Sequence, residues 1–394
     1  MAQAVVVGAG IGGLTTALAL ARNGWQVTVL EQAASIEPVG AGLAVAPNAL
    51  RALDMIGLGD EVRKLSAIQG EAGLRRPSGR WLSRTTAEES AARYGDSIVL
   101  LTRSALVGIL AARLPEGALR LGTRAESADP GTGLVTLATP AGGTAGGTET
   151  IRADLVVAAD GIRSRTRAAL FPGHPEPVYA GVTSWRAIIP YAGTVGASET
   201  WGAGLVFGVM PLAGGQVYCY ATAPVAAGLR AESEKEELVR LFGRWHDPIP
   251  GLLAAAGPGA VLRHDIYSLD TPLPAFHSGR IALLGDAAHP MTPNLGQGAC
   301  QAIEDAVVLA RHVSPGGDPA PDPAADLAAG LAAYSRERLA RTTPIVRRSR
   351  LVGRISGWRD PLAVALRDGA VRAAGLLGPA VAVRQFDDVF RWPG

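Results

Sequence analysis

Only two cysteines, Cys219 and Cys300, occur in the 394 residues. They are too few for a disulfide framework and show no CxxC spacing, so a reducing cytoplasm is the expected compartment. Lysine is almost missing as well. Lys64 and Lys235 stand alone and the other basic residues are arginine, a compositional bias that carries no function by itself. An excess of one charge is also lacking: 37 Lys+Arg against 35 Asp+Glu leave a net charge of +2, too little for the broad basic face that nucleic acid requires. No apolar run reaches the roughly 18–20 residues that span a bilayer without charges or glycine clusters. The first residues lack the basic segment and unbroken apolar core of a signal peptide. A soluble protein with no nucleic-acid or membrane partner is therefore expected. Histidine and cysteine nowhere show metal-ligand spacing.

Glycine and proline, by contrast, are plentiful, at 50 and 27 residues. They follow no G-X-Y period, which excludes collagen and indicates many tight turns. The length suggests two or three structural units.

Ala4-Val5-Val6-Val7 is a short, largely β-branched apolar run of the kind that forms a buried parallel strand. It leads into Gly8-Ala9-Gly10-Ile11-Gly12-Gly13. In a dinucleotide-binding turn Gly8 permits the sharp bend, Gly10 lets backbone approach a pyrophosphate, and Gly13 lets the next helix pack closely on the sheet. That helix, 14–23 with Gly24 as its stop, aims its N-terminal N–H groups at the phosphates. A second strand, Gln26-Val27-Thr28-Val29-Leu30, delivers Glu31 where a carboxylate accepts hydrogen bonds from a ribose diol. GxGxxG alone also describes a strand-to-helix turn without a ligand. Strand, turn, helix, strand and acid in order favour a dinucleotide, and an acid rather than an arginine favours FAD or NAD over NADP.

Farther along, a glycine-rich stretch at 39–46 leads into a helix with Asn48 as its cap. Helical spacing returns at 103–114, and 151–159 reads as one strand after a flexible hairpin tip at 141–147. Between about 176 and 270, alternating stretches such as Gln216-Val217-Tyr218-Cys219-Tyr220-Ala221 predict antiparallel strands, with a charged helix near 232–244. From about 297 the chain is helical, interrupted by a Pro/Gly/Asp loop at 314–325. Two later segments repeat the strand-to-acid-to-helix pattern. One is Asp160-Gly161-Ile162-Arg163-Ser164-Arg165-Thr166-Arg167, and the other runs from Gly285-Asp286-Ala287-Ala288-His289 to Gly296-Gln297-Gly298. Each acid is either a polyol ligand or a helix N-cap. The three arginines 163, 165 and 167 near a helix start oppose its dipole, so they face either a phosphate or solvent.

Taken together, GxGxxG at 8–13, DGxxSxxR at 160–167 and GDAAHxxxPxxGQG at 285–298 resemble the single-component (group A) FAD-dependent aromatic hydroxylases, the family of p-hydroxybenzoate and salicylate hydroxylases. The resemblance covers residue 4 to about 306, plausibly to 350. It implies an α/β fold: a Rossmann-like (GR2-type) FAD domain with a parallel sheet, interleaved with an α+β substrate domain on an antiparallel sheet, plus C-terminal helices. The expected division is 1–75, 97–175 and 271–325 for the FAD domain, 76–96 and 176–270 for the substrate domain, and 326–394 for the helical tail. The implied FAD contacts in the N-terminal half are Gly8, Gly10, Ile11, Gly12, Gly13, Glu31, Gln32, Arg103 and Asp160. Those in the C-terminal half are Asp286, Pro293, Gly296, Gln297 and Gly298. Arg103 either reaches the flavin side of the dinucleotide or makes a surface salt bridge.

The resemblance also implies NADH or NADPH as a transient reductant, O2 as co-substrate, and hydroxylation of a small aromatic or heteroaromatic molecule through a flavin C4a-hydroperoxide, in a monomer or homodimer. Pro293, Leu295 and Gly296 would lie along the reactive flavin face, the flavin carrying the chemistry without a protein nucleophile. Substrate contacts are expected from Val45, Arg186, Phe207, Met210, Tyr218, Tyr220 and Met291. Tyr218 and Tyr220 share one face of a strand, either bonding a phenol or filling the core. Arg186 holds a carboxylate or an interdomain contact, His264 is a base or an ordinary strand residue, and His289 is read as structural. An epoxidase or isoprenoid reductase on the same scaffold, or a flavin protein without redox activity, are the alternatives. The amphipathic segment 362–390 packs on the protein by default, with a dimer or membrane contact as the other options.

Overall fold

A strand such as Gln3–Val7, apolar on both faces, needs a neighbour on each side to satisfy its backbone. The computed structural model describes residues 1–36, 41–66, 71–138, 149–257, 259–314 and 323–392. The hairpin tip at 141–147, Val39 and Gly40, and most of the loop 314–325 lie outside them. Gln3–Val7 pairs in parallel with Gln26–Leu30 on one side and Leu155–Ala158 on the other. Leu119–Arg120 and Ile281–Leu283 extend this sheet in parallel, and His277–Ser278 closes one edge antiparallel. The helices Ile11–Arg22 and Gly298–His312 pack on each other and bury the first core, which contains Leu14, Leu20, Leu155, Ile281 and Ile303.

The single strand expected at 151–159 is two strands in different sheets. Thr150–Arg152 joins a small antiparallel sheet with Leu134–Leu137 and Ala125–Ala128, and Leu155–Ala158 enters the parallel sheet. Asp154 marks the change, because its carboxylate accepts from Gln3 N at 2.9 Å.

The second sheet has seven strands in the order Leu262–Ser268, Val178–Pro190, Gln216–Ala223, Val206–Leu212, Ala197–Trp201, Glu71–Arg75, Trp81–Thr86. It is antiparallel as expected except where Ala197–Trp201 runs parallel to Glu71–Arg75. The expected boundary at residue 75 separates Glu71–Arg75 from its hairpin partner Trp81–Thr86. Hydrogen bonding keeps both in the second sheet. Helices Glu234–Phe242 and Ile249–Ala255 cover one face and bury Trp185, Phe207, Phe242 and Leu252. The other face turns toward a two-stranded ribbon, Gly42–Val45 with Val99–Thr102, that belongs to the first unit.

The long helix Pro323–Ser356 lies against Gly298–His312, and the contact is ionic. Arg338 and both its partners are 0% exposed: the guanidinium donates to Asp305 Oδ1 and Glu304 Oε2, each at 2.6 Å. Burial pushes the Asp305 carboxyl up, but the charges of His289 and Arg338 outweigh it and hold the group at about 2. A depressed folded-state pKa contributes stability above the ordinary carboxylate value. That contribution is full above pH about 4 and lost as pH falls toward about 2. Arg338→Leu removes the cation that Glu304 and Asp305 share, leaving them only Arg341 and His289, and should lower the unfolding free energy by about 3–5 kcal/mol in urea titrations. The exposed neighbour change Arg336→Leu should cost less than about 0.5 kcal/mol.

Candidate active site

The glycine turn is set by backbone contacts that tolerate no side chain. Gly8 has φ +104°, and a Cβ there would lie 2.5 Å from Ala159 O. A Cβ on Gly13 would lie 2.0 Å from Gly8 O, so this glycine lets the helix close on the turn. Gly12 faces Leu284 and Ala302 and therefore serves helix packing. Gly10 precedes Ile11 as the N-cap and offers no side-chain cap, leaving the first N–H groups open. Glu31 follows the second strand, and its carboxylate accepts from Ala9 N at 2.8 Å and Ala33 N at 2.9 Å, with Gln32 exposed beside it. Arg103 begins the helix Arg103–Ala112, with its guanidinium 3.8 Å from where a Gly10 Cβ would stand. It has no ion-pair partner among the described residues, so the salt-bridge alternative is not realised.

At the second motif Asp160 Oδ2 accepts from Thr166 N at 3.2 Å and its hydroxyl at 3.1 Å, while buried Oδ1 has no partner. Arg163 and Arg165 are exposed. Arg167 corrects both sequence readings, since it meets neither phosphate nor solvent. It is buried and donates to the carbonyls of Ile162 at 2.6 Å and Ala287 at 3.1 Å, tying the second motif to the third.

In the third motif Gly285 N and His289 Nε2 both reach Asp305 Oδ2, at 2.9 and 2.6 Å, so His289 is structural, as expected. Asp286 sits in the short turn after the strand Ile281–Leu283, with its side chain exposed to solvent although many protein atoms surround it. Desolvation pushes its carboxyl up, opposed by His289, Arg103, Arg167 and Arg186, so three arginines from separate segments converge on this acid. Pro293–Leu295 forms a short turn ended by Gly296 at φ +62°, and Gly298–His312 then starts without a side-chain cap. Gln297 is buried, with Oε1 accepting from Asn48 Nδ2 at 3.0 Å. Asn48 is not the cap expected of it: the helix Pro47–Met55 is preceded by Ala46, and Asn48 donates inward to Gln297 and Glu304. Gln297 Nε2 and Asn48 Oδ1 have no partner. Two uncapped helix starts, unpartnered buried polar atoms and a free arginine suit an anionic dinucleotide with a hydrogen-bonding ring. Among the described residues no acid, histidine and cysteine cluster could hold a metal.

The open face of the seven-stranded sheet forms the opposite wall. Arg186 pairs in register with Tyr220, and Ile188 with Tyr218, which in turn faces Met210. Room for the tyrosines comes from two glycines. A Cβ on Gly208 would fall 2.1 Å from the Tyr220 ring, and one on Gly42 would fall 2.5 Å from the Tyr218 ring. Tyr218 thus packs across to the first unit. The Tyr220 hydroxyl and Trp201 Nε1 both donate to Glu199, a residue that sequence reading missed. Burial pushes the Glu199 carboxyl up, against the pull of these two donors, and burial raises the Tyr220 phenol as well. His264, in register with Ser184, is held low by burial and then by Arg186, which favours neutral imidazole. Met291 sits half-buried in the third-motif loop.

Two expected substrate contacts are not there. Val45 is 0% exposed in the first core, because strand alternation turns Ala44 toward Tyr218 instead. Phe207 points to the helix-covered face, with its ring centroid 5.3 Å from that of Phe242. Cys300 is buried and its thiol is pushed up to about 12 by burial, in keeping with a small, unreactive helix residue.

Gly13→Ala should weaken FAD binding by roughly 5–150-fold, the range expected for overpacking a close contact, in fluorescence titrations of flavin-free protein. Gly108→Ala, whose Cβ meets nothing within 4 Å, should leave the affinity unchanged.

Comparison with known proteins agrees with this geometry. A family model described as "FAD binding domain" matches residues 1–349. The aurachin C monooxygenase/isomerase of Stigmatella aurantiaca is 37% identical over 375 residues, which cover 93% of each chain. The 2-heptyl-3-hydroxy-4(1H)-quinolone synthase of Pseudomonas aeruginosa is 32% identical over 380 residues, again 93% of each. Among solved structures, HpxO of Klebsiella pneumoniae complexed with FAD and uric acid superposes with a TM-score of 0.84 at 27% identity, covering 97% of both chains. The chain belongs to the FAD binding domain family and, within it, to the FAD-dependent monooxygenases of the single-component aromatic hydroxylase type.

Proposed function

We propose that this monooxygenase hydroxylates a fused heteroaromatic ring of the quinolone kind carrying an apolar side chain. The sheet face turned toward the ribbon carries the reading: over a buried cluster of Leu100, Ala197, Leu212 and Tyr218, the half-buried Ala44, Ile188 and Met210 present an apolar surface. Such a wall suits an alkyl chain, whereas a small ring rich in polar groups would leave it wet. A relative at 32% identity spanning 93% of both chains is named for an alkyl quinolone, which supports the same class.

Bound FAD, reduced by NADH or NADPH, supplies the oxygen chemistry that side chains cannot. The protein positions and shields. The Gly8 turn and the helix start at Ile11 would hold the pyrophosphate, Glu31 the ribose, and Arg103, Asp160 and Asp286 the segment between. Leu295 and the uncapped helix start at Gly298 would offer N–H dipoles to the flavin ring, Pro293 and Gly296 shape the turn that brings them there, and Gln297 Nε2 is a further donor. Ile188, Met210, Tyr218 and Met291 exclude water from the reacting edge. Arg186 would donate to the carbonyl oxygen borne by the substrate ring and stabilise negative charge developing there. Glu199 orients the Tyr220 hydroxyl, whose free lone pair accepts from a ring N–H.

Purified holoenzyme given 2-alkyl-4-quinolones should show stimulated NAD(P)H oxidation and a product heavier by one oxygen, while urate and salicylate leave the basal rate unchanged. Stimulation by urate or a benzoate, and none by any quinolone, would replace the reading with that substrate. Arg186→Leu should lower kcat/KM by roughly 10–150-fold, the loss of a charged hydrogen bond, with FAD content unchanged.

A further inference from the structure

The helix Pro361–Leu376 is built inside out. Its inward face carries its ions: Arg367 is 3% and Asp368 4% exposed, and they bond each other at 2.8 Å. Arg367 also donates to Gly202 O at 3.1 Å and Ser356 O at 3.2 Å, and Asp368 pairs with Arg76 at 2.8 Å. Gly375 permits close approach to the strand Trp81–Thr86, since a Cβ there would meet Leu82 O at 2.9 Å. The outward face is apolar. Leu362 and Leu366 are 81% and 71% exposed, and Leu376 and Leu377 just beyond are 79% and 73% exposed. At 100° per residue these leucines fall on one side with Ala365, Gly369 and Ala373, a stripe whose only charge is Arg372 at its border. Such a contiguous uncovered stripe marks an interaction surface.

The surrounding charges choose the occupant. Arg354 and Arg359 precede the helix, Arg372 flanks it, and all three are exposed with no ion-pair partner among the described residues. The one exposed acid over residues 351–378, Asp360, is used as the N-cap, accepting from Leu362 N at 3.0 Å and Ala363 N at 2.9 Å. Trp358 stands at the corner, 38% exposed. A second copy docking here would bring the arginines face to face. An anionic lipid surface instead accepts both the leucines and the cations.

We propose that this helix lies in the headgroup layer of an anionic bilayer as a peripheral contact. At 16 residues it is too short to span. Because it packs on Trp81–Thr86 and reaches Gly202, docking sets the seven-stranded sheet, and with it the substrate wall, beside the lipid. The surface does not depend on which ring the enzyme hydroxylates.

FAD-loaded full-length protein floated with phosphatidylcholine vesicles should bind weakly, and strongly when phosphatidylglycerol is added, with salt releasing it. Arg359→Gln and Arg372→Gln should each weaken that binding by about fivefold. The variant Leu362→Gln with Leu366→Gln, Leu376→Gln and Leu377→Gln should abolish it while keeping FAD content and Tm, since these side chains touch solvent. The single change Leu366→Gln, with partial loss, decides the matter if the fourfold variant folds poorly. Absence of binding to either vesicle, equal binding by the leucine variants, or a dimer in sedimentation velocity that these changes dissolve would overturn the proposal.

Discussion

Two adjacent acids, Glu304 and Asp305, fasten four separate stretches of chain. Asp305 holds the third-motif loop through Gly285 N and His289, Glu304 holds Asn48 after the ribbon, and both hold Arg338 of the long helix. Arg341 bonds Glu304 and also the carbonyl of Val389, bringing in the C-terminus. Such a cluster contributes less to net stability than its short distances suggest, because desolvation offsets most of the attraction. What it does supply is one arrangement, since any displaced partner leaves a buried charge uncompensated. The third-motif loop is therefore positioned by ions that are themselves fully buried.

The parts of the site made of backbone were legible in the sequence. At Gly8 and Gly13 steric exclusion permits one residue type, so spacing alone reports the turn. Side-chain contacts across elements were less legible. Val45 and Phe207 lie on the right strands but the wrong faces, and which face is inner depends on what packs there: one core of the first unit for Val45, two helices for Phe207. Arg167 could not be told from Arg163 and Arg165, because the carbonyl of Ala287 that helps to bury it comes from more than a hundred residues away. Glu199 offered no signal at all, being a single acid in an alternating strand whose donors arrive from Tyr220 and Trp201.

The helix Pro361–Leu376 shows the opposite limit. Amphipathicity is visible in the sequence, but its direction is not. By default the apolar side of a helix is taken to face the core. Here the inward side must meet Gly202 O, Ser356 O and Arg76, so the polar residues win it.

Interleaving also has a temporal side. The hairpin Glu71–Arg75 with Trp81–Thr86 leaves the ribosome early, yet the strand that completes its edge, Ala197–Trp201, follows about 120 residues later. At roughly 5–20 residues per second that is a wait of roughly 6–24 s with backbone groups unpaired. Glu71, Arg75 and Arg84 place charges along this waiting edge, and the Glu71–Arg84 pair closes at 3.0 Å within the hairpin itself. Charge of this kind discourages strand addition by another chain. The site is thus assembled last around an edge that has to survive nascent synthesis uncapped.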